Sequence, residues 1–234
     1  WNGTDTIAYT DGVAYVYLSA DAERDSTLTV ESGNTLYRCL NGNTLSRTSG
    51  FTGRAITVSS GATFVLTDCG EGGAISGFTS ATSAGGGVYN YGGTVTMENV
   101  TISGNTAASG GGGVYNDGTF TMENVTVSNN TANTDEIPYG AYGGGIYCST
   151  GTLTIRGGTI SGNEMKGTHG TSGGGIYVAS GATAEITDVT IRDNTAYNGG
   201  GVCNYGTFTM ENSTVSGNIA AYEGGGVYND DTFT

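Results

Sequence analysis

An all-β solenoid, a right-handed parallel β-helix of about seven coils, is the fold that the sequence predicts, and three observations predict it. A glycine-led hexapeptide, GGGVYN at Gly85, returns as GGGVYN at Gly111, GGGIYC at Gly143, GGGIYV at Gly173, GGGVCN at Gly199 and GGGVYN at Gly224. The segments between copies alternate apolar and polar residues with a period of two, as half-buried strands do. Glycine supplies 44 of 234 residues and proline one, yet 15 tyrosines and abundant Thr, Val and Ile accompany them. Disordered Gly-rich chains are poor in such residues, so these glycines read as corners between strands rather than as linkers.

The apolar residue after each glycine run marks the repeat: Val88, Val114, Ile146, Ile176, Val202 and Val227 are 26, 32, 30, 26 and 25 residues apart. A repeat of this length that cannot bury its own apolar face must stack on its neighbours. The unit GGGVYNDGTFTMENVTVSNNTA from Gly111 and the unit GGGVCNYGTFTMENSTVSGNIA from Gly199 carry the same three segments in the same order. Looser copies precede them, since ITVSSGATFVLTDC from Ile56 matches IYVASGATAEITDV from Ile176, and TLTVESGNT from Thr27 is a more diverged copy. Residues 27–234 are therefore assigned to the β-helix. Residues 1–26 fit no unit and are assigned to an N-terminal cap, which a solenoid needs over its open apolar end.

Each unit supplies three short strands. In TFTMEN, Phe120 and Met122 point one way and Thr119, Thr121 and Glu123 the other; in VTVS the inward pair is Val125 and Val127; in GGVYN it is Val114, with Tyr115 turned outward. Stacking at about 4.8 Å then aligns inward columns Val100, Val125, Val189 and Met97, Met122, Ile155, Ile186, Met210. One asparagine per unit, at Asn105, Asn130, Asn163, Asn194 and Asn218, follows an Ile or Val by three residues. Stacked amides of this kind can bond along the ladder and satisfy a turn. The glycine triplet marks another corner, where positive φ or a close backbone approach excludes a Cβ. A phosphate-binding glycine loop would need a following helix, and none follows.

The pairing of a GG-x-[ILV] element with an [ILV]-x-x-N tetrad in repeat after repeat, over about residues 53–234, resembles the polymorphic outer membrane proteins of chlamydiae and the adhesin-like right-handed β-helix proteins of bacterial and archaeal surfaces. Gly72-Gly73-Ala74-Ile75 is taken as the first copy of one element and Ile102-Ser103-Gly104-Asn105 as a copy of the other. Tetrads of the chlamydial type favour Phe where this chain has Ile or Val. The resemblance implies a secreted or cell-surface passenger with an adhesive or structural role.

Removing this skeleton leaves two candidate binding features. The first is an outward column of Tyr89, Tyr115, Tyr147, Tyr177 and Tyr228, interrupted by Cys203, whose rings offer apolar faces and hydroxyls to a glycan or a partner protein. The second is a pair of insertions, NTANTDEIPYGAY and NEMKGTHGTS, which lengthen consecutive units and bring Asp135, Glu136, Tyr139, Glu164, Lys166 and His169 to one region. A structural reading stands beside each: tyrosine is a good strand former, and insertions are often plain solvated loops.

The formal charge of −14 disfavours nucleic acid as a partner, and no run reaches the roughly 18 apolar residues of a membrane helix. No cofactor, metal or catalytic residue is expected. The Glu98, Glu123 and Glu211 column is broken by Arg156, a pattern of surface charge rather than of an acid and base pair. A polysaccharide-degrading enzyme, an ice-binding solenoid presenting Thr columns such as Thr119 and Thr121, and a self-assembling extracellular fibre subunit remain as alternatives. Cys39 and Cys69 end strands in successive units, within disulfide reach if those coils stack directly, whereas Cys148 and Cys203 lie about two coils apart. Asp230 to Thr234 repeats the start of a strand and stops, so the chain reads as a segment of a longer array with head-to-tail self-association as one expectation.

Overall fold

The computed structural model describes residues 7–133, 141–167 and 170–234. Among them the chain winds as a parallel β-helix whose strands fall into three sheets. The largest has 15 strands, the second eight and the third six, and all strand pairs within them are parallel. Helices are absent among the described residues. The eight-stranded sheet carries the hexapeptide strands, from Leu28–Val30 and Ile56–Val58 through Val88–Asn90 to Val227–Asn229, one per coil. Seven turns separate eight such strands, as the repeat spacing predicts.

The register is one residue per coil along the columns of the two larger sheets, and the third sheet shifts once, between Ala196 and Asn198. Met97, Met122, Ile155, Ile186 and Met210 are successive partners, as are Val88, Val114, Ile146, Ile176, Val202 and Val227. Inward residues fuse into one core running the length of the helix. The hydrophobic effect holds the coils together through this core, since a single coil has no interior of its own. Besides the glycine-triplet corner, where Gly85, Gly111, Gly143, Gly173, Gly199 and Gly224 have positive φ, two further corners are turned at positive φ by Asn, Asp or Gly. One uses Asn99, Asn124, Gly157, Asp188 and Asn212; the next uses Gly104, Asn129, Gly162, Asp193 and Gly217. Asn, Asp and Gly are the residues that tolerate this conformation.

The asparagine ladder forms as the sequence predicts. The Nδ2 of each residue donates to the Oδ1 of the next, from Asn105 to Asn130, Asn163, Asn194 and Asn218, at 2.9–3.1 Å. The same Oδ1 atoms accept the backbone N–H of the preceding asparagine, and each amide also donates to a core-strand carbonyl. A second, shorter ladder joins Asn90 to Asn116 and Asn204 to Asn229 at 2.8 and 2.7 Å.

Residues 13–24, set apart by sequence as cap, contribute strands Val13–Tyr17 and Ala22–Arg24, which pair in parallel with Thr35–Cys39 and Thr44–Arg47. Cys39 and Cys69 form a disulfide with Cα atoms 5.9 Å apart. The bridge closes a loop of 30 residues, so reduction is expected to lower stability by about 3 kcal/mol. Urea unfolding with and without a reductant, against a Cys39→Ser/Cys69→Ser variant, measures it. Cys148 and Cys203 are free and buried; burial pushes their thiols up to about 11 and about 12.

One motif assignment is corrected. Ile75 pairs with Ile102, not with Val88, whose partner on that side is Ile56. Gly72 and Gly73 thus fall at the corner of Asn99 and Val100, and the strand Ala74–Ser76 leads to the asparagine-ladder corner, where Phe78 stands in the place of an asparagine and donates its N–H to Asn105 Oδ1. A glycine pair before an apolar residue occurs at both kinds of corner, and spacing alone does not separate them.

Candidate functional site

The predicted tyrosine column exists and is longer than predicted. Tyr89, Tyr115, Tyr147 and Tyr177 are register partners, and Tyr228 follows Cys203. Tyr91, Tyr142 and Tyr205 join from neighbouring positions to make a continuous ring ladder. Tyr89 stacks on Tyr115 at 4.7 Å between centroids and Tyr142 on Tyr177 at 4.4 Å, while Tyr147 meets Tyr115 and Tyr177 edge-on. Tyr205 spans the gap left by Cys203, 5.8 Å from both Tyr177 and Tyr228. Arg54 lies over Tyr89, with its guanidinium carbon 4.2 Å from the ring centroid, and closes that end by a cation–π contact.

This geometry changes what the ladder can bind. Parallel rings at nearly the strand spacing stack along the helix axis, so neighbouring rings occupy each other's faces. The column is half-buried rather than outward, and Tyr177 is only 8% exposed because Tyr142 and Tyr205 cover it. Burial raises the phenol pKa of Tyr89, Tyr147, Tyr177 and Tyr205. These rings behave as a second, external core.

A ring that keeps one face uncovered among the described residues occurs elsewhere, on the strand Val13–Tyr17 that the sequence assigned to the cap: Tyr15, at the end of its column. Tyr15 stacks on Tyr37 at 4.8 Å with planes 10° apart, and Val65 continues the column. Tyr15 is 78% exposed, Tyr17 54% and Tyr37 38%. With Val16, Val65 and Thr67 they line a groove of about 320 Å³, at the small end of ligand-pocket sizes. Arg38 closes its inner side from within the apolar column that Leu66 and Met97 continue. Burial, with the nearby Arg24 charge, holds its pKa down to about 9. The sequence signal was VAYVY, whose alternation puts Tyr15 and Tyr17 on one face.

Further along this sheet the outward columns become polar. Thr96, Thr121 and Thr154 are followed by Glu185 and Thr209, and Glu98 and Glu123 by Arg156, Thr187 and Glu211. At the described ends of the two insertions, Asn133 pairs with Lys166 and Tyr142 bridges to Ser172. Glu164 and Lys166 form an exposed ion pair at 3.6 Å, of a kind that contributes little. Asp135, Glu136, Tyr139 and His169 lie outside the described residues. Among the described residues no group of three or more His, Cys, Asp or Glu is placed to hold a metal, and no helix is long and apolar enough to cross a membrane.

No curated protein and no solved structure matches the chain. Residues 22–220 match the family described as right handed beta helix region. That span takes in the asparagine ladder and the tyrosine ladder as far as Tyr205, and the chain belongs to this right-handed β-helix family.

Proposed function

We propose that the chain is a non-catalytic β-helix of a secreted or surface-displayed protein that binds saccharide through the open faces of exposed tyrosines. The observation that carries this reading is the groove of Tyr15, Tyr17 and Tyr37, where Tyr15 ends a stacked pair and keeps its outer face exposed. An aromatic face takes the C–H face of a pyranose, while the phenol hydroxyls and Thr67 supply polar contacts. Aromatic rings held by strands order little on binding, which favours affinity. The Cys39–Cys69 disulfide supports an oxidising compartment, and the adhesin-like repeat pattern supports display at a surface. Glu98 and Glu123 stand on adjacent coils of an exposed strand face beside Arg156, an arrangement suited to solubility rather than to acid and base catalysis.

A glycan array probed with the wild-type chain and with Tyr15→Ala and Tyr37→Ala tests this. Binding by the wild type and a loss of tenfold or more in either variant are expected, about 1.4 kcal/mol. Wild-type protein that binds no glycan, or binding that both variants retain, would sink it. Tyr15 is mostly exposed, so the Tyr15→Ala fold is expected to stay intact by circular dichroism.

A further inference from the structure

One corner of the helix repeats a pairing that the groove does not use. The residue that follows each of the last six strands of the eight-stranded sheet falls in a single column, which runs Tyr91, Asp117, Ser149, Ala179, Tyr205, Asp230 in coil order, after Glu31 and Ser59 behind the first two strands. From Tyr91 to Asp230 each backbone N–H in the column donates to a carbonyl of the preceding coil at 2.8–2.9 Å, which fixes the order. A tyrosine is thus followed one coil later by an aspartate twice, as Tyr91 with Asp117 and Tyr205 with Asp230. Four coil steps separate the two tyrosines, about 19 Å at about 4.8 Å per step.

The two copies share the pair but differ around it: Tyr205 has Cys203 rather than a tyrosine at the position of Tyr89 and lies between Tyr177 and Tyr228. Tyr91 packs beside Tyr89 at 6.2 Å with planes 11° apart, and Tyr205 packs against Tyr228 at 5.8 Å. Tyr91 is 56% exposed, so its ring is accessible where the ladder's inner rings are not. At the first copy a concavity of about 240 Å³ is lined by Ser60, Tyr91, Gly92 and Asp117. Asp117 Oδ1 accepts the Thr150 hydroxyl, which steadies the carboxylate while its other oxygen stays available. An ionised carboxylate only accepts hydrogen bonds, and it suits a pair of vicinal hydroxyls that donate to it. An aromatic face beside it suits the C–H face of the same ring. The carboxylate, on a chain of net charge −14, repels acidic sugars.

We propose that Tyr91 with Asp117 is an open subsite for a neutral pyranose ring and Tyr205 with Asp230 a second, more enclosed one, set about 19 Å apart along one edge so that a single polysaccharide chain can occupy both. The choice of ligand class rests on the saccharide reading above, whereas the place rests on the repeated corner alone. Occupying both subsites converts the second contact into an intramolecular one, so affinity rises once an oligosaccharide is long enough to span them.

The test is calorimetric titration of the full chain with neutral glucan, mannan and galactan oligosaccharides of increasing length, and with a uronic-acid oligosaccharide. Wild type, Tyr91→Ala, Asp117→Asn, Tyr91→Ala/Tyr205→Ala and Tyr15→Ala are compared. At least one neutral series should show a step in affinity of tenfold or more with length. Asp117→Asn, which keeps the side-chain shape, and Tyr91→Ala should each remove that step, and the double variant should remove binding at this edge. Neutral oligosaccharides that lose affinity with Tyr15→Ala but not with the double variant would overturn the corner subsites and leave the groove reading standing. Binding of the uronic-acid series alone would overturn the ligand class assigned here, and no binding of any series would overturn both readings.

Discussion

Asn163→Ala is expected to lose about 4 kcal/mol of stability, far more than a surface substitution. The side chain is fully buried. Its Oδ1 accepts from both the backbone N–H and the Nδ2 of Asn130 at 3.0 Å, and its Nδ2 donates to Val127 O and Asn194 Oδ1 at 2.9 Å. Alanine leaves the Asn130 N–H without its acceptor in a dry interior, at about 1–3 kcal/mol, takes the side-chain donor from Val127 O, and uncouples the ladder above from the ladder below. Asn163→Asp tests the cause, because a carboxylate keeps the shape and the acceptor but cannot donate to Val127 O. Urea unfolding of both variants measures the loss, and a midpoint within error of wild type for Asn163→Ala would contradict the account.

Gly112→Ala is expected to be at least as severe, costing more than about 3 kcal/mol or preventing folding. A Cβ there would collide with Gly144 O on the next coil and come within 2.6 Å of Thr131 O on its own coil. Both obstacles are backbone, and the Gly112 N–H already donates to Gly143 O across the gap, so neither coil can retreat without breaking the stack. Gly181→Ala provides the contrast. Its φ is +82° but a Cβ there meets nothing within 4 Å, so only the conformational strain of about 1 kcal/mol applies. Thermal unfolding of the two variants side by side separates close approach from strain as the reason for glycine.

The fold was legible in the sequence because its determinants are local and repeated. Val114 inward and Tyr115 outward follow from a period of two, and Asn130 can be aligned with Asn163 by counting. What was misread lay where the pattern is degenerate or where neighbours decide. Gly72 to Ile75 looks like a triplet corner, and only the pairing of Ile75 with Ile102 places it elsewhere. Tyr177 sits at an outward position, yet Tyr142 and Tyr205 bury it, and both come from segments that a column count ignores. Tyr15 and Tyr37 were missed because residues 13–17 match no unit by spelling, although they join the same sheet in register with Thr35–Cys39.

Unit length varies from 25 to 32 residues while the columns of the two larger sheets keep their register, so the differences in length are taken up at the corners: Thr119 follows Val114 by five residues and Thr183 follows Ile176 by seven. Coil number is therefore independent of coil content. Whole units can be gained or lost without disturbing either amide ladder, and each changes the reach of the rod by about 4.8 Å. The chain works as a ruler graduated in coils: its length sets how far apart two features on one edge stand, and its insertions decorate the graduations without moving them.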